Sequence, residues 1–202
     1  MPPATTPTNT PPTLRDRTNR AVRAEVSAVA MRLFLEQGFD KTTVDQIAAE
    51  AGLSRTSFFR YFATKEDVIL GNLEERGSEV LEALVARPAR EPVWQALRNA
   101  FNPLLDDIAQ APERGLSMAR MFDNTPSLRA RHLGRQLTWH DRLTPEIARR
   151  LGVTDDPYDP RPRAVVAAAL ACLNAAVDVW TAANGAVDLP TVLDRAMSAP
   201  NE

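Results

Sequence analysis

The stretch Thr42–Asp67, TTVDQIAAEAGLSRTSFFRYFATKED, reads as two short helices around a glycine, with a third helix starting directly after them. Thr43 followed by Gln46 is the T-x-x-Q pattern, in which the two side chains satisfy orphan amides at a helix start. Val44, Ile47, Ala48 and Ala51 fall at i, i+3, i+4 and i+7, so one face of the first helix is apolar. Gly52 follows, where a helix end favours a residue that tolerates left-handed backbone. Ser54 supplies a second N-cap. The segment it opens carries Arg55, Thr56, Ser57, Arg60 and Tyr61 around the apolar anchors Phe58 and Phe62. In a helix-turn-helix unit the second helix enters the major groove of DNA. A plain helical hairpin needs only a glycine and a cap, so helix-Gly-helix alone leaves both readings open. The sequel favours the DNA reader: Thr64 caps a third helix with Lys65 in its first turn, where a cation opposes the helix dipole unless it faces an anion such as phosphate.

At these residues the chain resembles the TetR family of bacterial transcription regulators. The resemblance rests on Gly38-Phe39, Thr42-Thr43-Val44, Ile47-Ala48, Ala51-Gly52-Leu53-Ser54, Phe58-Phe59-Arg60-Tyr61-Phe62 and Lys65-Glu66-Asp67, and it covers roughly Arg17 to Leu70. The family usually has tyrosine at the place of Phe59, with a hydroxyl that reaches a phosphate. Phe59 lacks it, so either a backbone contact is missing or the ring makes an apolar contact, for instance with a thymine methyl group; inward packing of Phe59 is the third possibility. Further on, Pro126-Ser127-Leu128-Arg129-Ala130 with Trp139 and Trp180 is similar to an actinobacterial branch that includes the mycofactocin-system regulator. That resemblance implies an acyl-coenzyme A or other hydrophobic effector.

The chain has 202 residues and a formal net charge of -2, which argues against bulk electrostatic binding of nucleic acid. The charge is uneven: residues 15–65 hold nine Lys/Arg against six Asp/Glu, which leaves -5 for the rest. Specific DNA binding tolerates an acidic remainder when the basic groups share one face. The single cysteine, Cys172, lies among alanines and leucines and reads as a buried thiol, in keeping with a reducing cytoplasm. Residues 1–14, MPPATTPTNTPPTL, read as a disordered arm rather than a secretion signal. The longest apolar stretch, Ala164 to Val177, contains Asn174 and is shorter than the roughly 20 residues that a membrane span needs.

The expected fold is all-α with about nine helices: a helix-turn-helix DNA-binding domain over 15–64, and a helical effector-binding and dimerisation domain over 65–202. Val22, Val26, Val29, Ala30, Leu33 and Phe34 mark a first helix from Asp16 to Glu36. Arg15, Arg17, Arg20 and Arg23 cluster at its start and read as a solvated helix end, with a basic arm touching the minor groove or a flanking phosphate, as the resemblance implies for some family members, as the alternative. Leu70, Leu73, Gly77, Val80, Leu81 and Leu84 give a connecting helix from Lys65 to about Ala86, the natural lever between domains. A helix from Val93 to Ile108 should kink at Pro103. A short helix over Pro112 to Phe122 and a longer one from Ser127 towards Leu151 follow, the latter bending or restarting at Thr144-Pro145. After the breaker Gly152 to Pro162, Val166, Leu170, Leu173, Val177 and Trp180 line one face. Val165, Ala169, Cys172, Ala176 and Val179 line the next, so this helix needs cover on more than one side. The resemblance implies that it pairs, with the long helix before it, against a second copy through the region near 161–184. A final helix runs from Leu189 to Met197.

His132 and His140 stand in no metal-ligand pattern, there is no phosphate loop or nucleophile elbow, and Asp106-Asp107 and Asp155-Asp156 read as surface. The expectation is therefore a DNA-binding regulator without cofactor, not an enzyme. Thr42, Thr43, Tyr61 and Lys65 are the expected phosphate contacts, and Arg55, Thr56, Ser57 and Arg60 the expected base-edge contacts, with Phe59 beside them. Trp94, Phe101, Met118, Met121, Phe122, Leu137, Trp139 and Trp180 are the candidate walls of an effector pocket. Arg114, Arg120, His140 and Asp178 are its candidate polar anchors. A ligand-independent architectural protein and a small-molecule carrier that has lost DNA binding are the competing readings.

Overall fold

A computed structural model describes residues 13–199. The expected disordered arm lies almost wholly outside the described residues, and so do the side chains of Leu70 and Leu73 on the connecting helix. Ten α-helices, with no strand among the described residues, divide into two compact units on either side of the Val68–Ile69 bond.

The first unit comprises α1 (Leu14–Gln37), α2 (Val44–Glu50), α3 (Arg55–Tyr61) and the first turn of α4 (Lys65–Ala86). Local chemistry sets its turns. The Thr43 hydroxyl accepts from the Gln46 amide at 3.2 Å while Gln46 Oε1 accepts from the Thr43 amide at 2.8 Å, the reciprocal capping box. Gly52 takes φ +66°, and the Leu53 amide donates to the Ala48 carbonyl at 2.8 Å, closing the end of α2 in the way that a left-handed glycine permits. Ser54 Oγ then accepts from the Ser57 amide at 3.1 Å and starts α3. Val26, Ala30, Phe34, Phe39, Ile47, Phe58 and Phe62 are buried together as the core of this unit.

The second unit holds the remainder of α4 with α5 (Val93–Ala100), α6 (Asn102–Gln110), α7 (Pro112–Asn124), α8 (Pro126–Leu151), α9 (Arg161–Ala182) and α10 (Leu189–Ser198). Pro103 does not kink one helix; it sits in the first turn of a new one, α6, after a break at the fully buried Phe101. There the missing N–H has no partner to lose. Pro145 conversely leaves α8 in one piece, held by the buried Leu143 and Ile147 on either side, with the Thr144 hydroxyl donating to the His140 carbonyl at 2.6 Å. Arg150, whose side chain is 1% exposed, pairs with Glu146 and donates to the carbonyls of Leu84, Arg87 and Pro88, so α8 satisfies the open carbonyls at the end of α4.

α9 is the centre of this unit, packed against α5, α7, α8 and α10. At 22 residues it is long and apolar enough by length and composition to cross a bilayer, beyond the shorter stretch Ala164–Val177. Packing decides its role: Val166, Ala169, Leu170, Cys172, Leu173, Ala176 and Trp180 are core. The second apolar face is thus internal at Ala169, Cys172 and Ala176, covered by this unit's own helices. The exposed stripe is instead Ala164, Ala167, Ala171, Ala175 and Val179. Cys172 is a free, buried thiol whose Sγ donates to the Ala196 carbonyl at 3.2 Å, and burial pushes its pKa up.

Candidate nucleic-acid interface and interior cavity

On α3, Arg55, Thr56, Phe59 and Arg60 are exposed side by side, while Phe58 and Phe62 point into the core. Arg55 Nη1 meets Asp45 Oδ2 of α2 at 2.6 Å, and its guanidinium lies 5.5 Å from the Phe59 ring centroid. Both members of that ion pair are 62% exposed, so it adds little stability and orients Arg55 without committing it. Phe59 stands edge-on to Phe58 at 5.6 Å and is 44% exposed, which removes the inward-packing option for its ring. Arg60 stacks over its neighbour Tyr61 at 5.1 Å and donates to the phenol oxygen at 3.3 Å. Thr43 is exposed at the start of α2.

Three expected contacts have other work. Thr42 is 1% exposed, and its hydroxyl donates to the Gly38 carbonyl at 2.9 Å, so it cannot offer that group to a phosphate. Lys65 Nζ donates to the carbonyls of Phe39 at 2.8 Å and Thr42 at 3.1 Å and sits 4.2 Å from the Phe39 ring centroid. Its ammonium ties the α1–α2 turn to α4, which answers its dipole conflict without DNA. Ser57, half-buried, is engaged with Ser54 in the cap of α3. Arg23 likewise closes α3, its Nη1 on the Tyr61 carbonyl at 2.6 Å and its guanidinium 4.6 Å from the Phe62 ring centroid.

The second unit holds a partly open cavity of about 330 Å³ between α4 and α6–α9. Met118, Phe122, Trp139 and Trp180 of the expected set line it, with Arg114 and Asp178. The others lie elsewhere. Phe101 is solid core; Trp94 Nε1 donates to the Met197 carbonyl at 2.8 Å; Leu137 is 67% exposed; Met121 is not on the wall. His140 Nε2 contacts the Arg163 carbonyl, and Arg120 binds the Asn184 side chain. Sequence reasoning missed a polar row on α8 and α9: His132, Gln136, Asn174 and Thr181. These residues recur at helical spacing on the inner faces of the two helices, a signal hidden by reading only their apolar positions. It also missed Arg76, whose Nη2 meets Asp107 Oδ2 at 2.5 Å, with Arg114 on the same carboxylate at 3.3 Å. Among the described residues no cluster of three or more His, Cys, Asp or Glu could hold a metal.

Comparison with known proteins decides the lineage. The model for bacterial regulatory proteins of the TetR family matches residues 27–71, and that for the MftR C-terminal domain matches residues 91–200. The transcriptional regulator TcmR of Streptomyces glaucescens is 38% identical over 171 residues, which cover 82% of this chain and 75% of TcmR. The chain belongs to the TetR family. Among solved structures it is similar to the TetR-family repressor FadR of Thermus thermophilus, crystallised with lauroyl-CoA, at 26% identity and TM-score 0.59 over 89% of this chain and 93% of FadR. SmeT in its triclosan complex shares the fold at 19% identity and TM-score 0.61, over 89% of this chain and 91% of SmeT. As a TetR-family member the chain is a DNA-binding transcriptional regulator. The exposed row Arg55, Thr56, Phe59 and Arg60 lies on the second helix of its helix-turn-helix.

Proposed function

We propose that this protein is a repressor that grips an inverted-repeat operator as a homodimer and lets go when a small hydrophobic effector fills the cavity of its second unit. The cavity carries the reading: a second unit built only to join two readers would be solid, and this one holds about 330 Å³ against two indoles. That volume lies within the range of small-molecule sites. The small-residue stripe Ala164, Ala167, Ala171, Ala175 and Val179 is suited to close approach by the same stripe of a second copy. Two readers so joined would enter successive major grooves about 34–36 Å apart. FadR, a repressor crystallised with lauroyl-CoA, gives the precedent for an effector of this kind. An effector acts only if it prefers the arrangement that cannot hold DNA, and α4, which belongs to both units, is the route for that coupling.

On the DNA side, Arg55, Thr56 and Arg60 read base edges, Phe59 makes an apolar contact, and Thr43 and Tyr61 position the backbone. Selection from random duplexes should enrich an inverted repeat. Arg55→Ala should lose about 1–3 kcal/mol of discrimination at one base pair of each half-site while keeping the salt dependence of binding. Enrichment of a single asymmetric site, or of nothing, counts against the repressor reading.

A further inference from the structure

Two buried side-chain polar atoms have no hydrogen-bond partner among the described residues, His132 Nδ1 and Thr181 Oγ1, and both residues line the same cavity. Their coincidence there is informative, because a buried polar group without a partner is costly and is tolerated where something else satisfies it. Thr181 is 9% exposed; a helical threonine commonly bonds back to the carbonyl four residues earlier, and this one does not.

The proton on His132 can be placed from its neighbours. Gln136 Nε2 has two hydrogens: one goes to Asn174 Oδ1 at 2.9 Å, the other to His132 Nε2 at 3.1 Å. Nε2 is therefore an acceptor, and Nδ1 bears the hydrogen of the neutral imidazole. Burial lowers the pKa of this ring, against the pull of Asp123 and Asp178, which keeps it uncharged at neutral pH. His132 Nδ1–H is thus a donor in search of an acceptor, and the Thr181 hydroxyl, which can donate as well as accept, is free to donate to the same one.

The arginines on the wall are already matched. Arg76 and Arg114 share Asp107, and Arg129 faces Asp123 at 3.7 Å. Asp178 lies on an exposed part of α9, where water screens it. Trp139, Trp180 and the Phe122–His132 pair, with centroids 5.1 Å apart, supply flat apolar walls.

Building on the effector reading above, we infer that the cavity takes an uncharged, ring-bearing molecule whose carbonyl or ether oxygen accepts hydrogen bonds from His132 Nδ1–H and the Thr181 hydroxyl. An anion would have to compete with Asp107 for its arginines, and a hydrocarbon would leave both donors unmet.

The test uses the full chain and three probes of one shape: 2-acetylnaphthalene, 2-isopropenylnaphthalene, which replaces the carbonyl oxygen by a methylene, and 2-naphthoate. Binding is read by titration calorimetry. The ketone should bind about tenfold more tightly than the alkene although it is the less hydrophobic of the two, and more tightly than the carboxylate. Thr181→Val, which breaks no bond within the protein, should unfold at the same or a higher temperature and bind the ketone several-fold more weakly, with alkene binding unchanged. His132→Phe should act in the same direction, and Thr181→Val decides the matter if that variant does not fold. Equal affinity for ketone and alkene, preference for the carboxylate, or no binding of any probe overturns the inference. Operator retardation measured on the same preparation keeps the two readings apart: its persistence with failed probes sinks only the ligand class, and its absence sinks the repressor.

Discussion

At the scale of single residues, Lys65 carries a positive charge in the first turn of α4, where the helix dipole disfavours it, and two backbone carbonyls resolve the conflict. The need for an electron-rich partner was legible in the sequence. Its identity was not, because the acceptors belong to Phe39 and Thr42, 26 and 23 positions away, and no local spacing reports such a contact. The two readings differ in what a mutant does. Lys65→Met keeps the stem over the Phe39 ring and removes two charge-assisted bonds. It should cost about 1.5–3 kcal/mol in urea unfolding. The salt dependence of operator binding should stay as in the parent, whereas a phosphate contact would lower the slope by nearly one unit. A stable variant with a lowered slope would restore Lys65 to the DNA surface.

At the scale of elements, the helices whose ends are written in adjacent residues were legible: the bounds of α2 and α3 follow from Thr43, Gln46, Gly52 and Ser54, all within a few positions of the caps they form. What failed were choices made by packing. The α5–α6 break depends on burying Phe101, and the inner and outer faces of α9 look alike in a run of alanines and valines. The site divided the same way: the exposed row on α3 was readable from its caps, but the cavity's polar row was not. Gly77 shows how far packing reaches. It stands in the α4 stripe among larger apolar residues, and a methyl group there would come within 2.4 Å of Trp139 Nε1. The indole of a buried tryptophan lies against bare backbone at this turn and forms part of the cavity wall. Gly77→Ala would gain about 0.5–1 kcal/mol of helix preference and lose about 1–3 kcal/mol to overpacking. A net loss of roughly 1–2 kcal/mol in chemical unfolding should result, with a shift in tryptophan emission. A gain in stability would mean that Trp139 moves aside freely, and the cavity wall described above would then be soft.

At the scale of the whole molecule, stability should respond to acid in two separate steps. Carboxylates act in the lower one: Glu146, beside Arg149 and Arg150, is held below its ordinary pKa chiefly by the Arg149 hydrogen bond, so its contribution disappears only as pH falls through and beneath the usual carboxylate range. The upper step belongs to His132. Its pKa is lowered in the folded chain by burial, so below the ordinary value of about 6.5 the unfolded chain binds the proton more readily than the folded one. Stability is full above that value and falls as pH drops from it towards the folded pKa. Protonation of the folded ring would also take away the acceptor that Gln136 uses. The chain has only two histidines, which makes the step assignable. Thermal unfolding followed from pH 7.5 to pH 5.5 should show a falling midpoint in the parent and a clearly flatter one in His132→Gln. Equal slopes in the two proteins would mean that the ring is already solvated in the protein without effector, and Nδ1 would then have water, not an effector, as its partner.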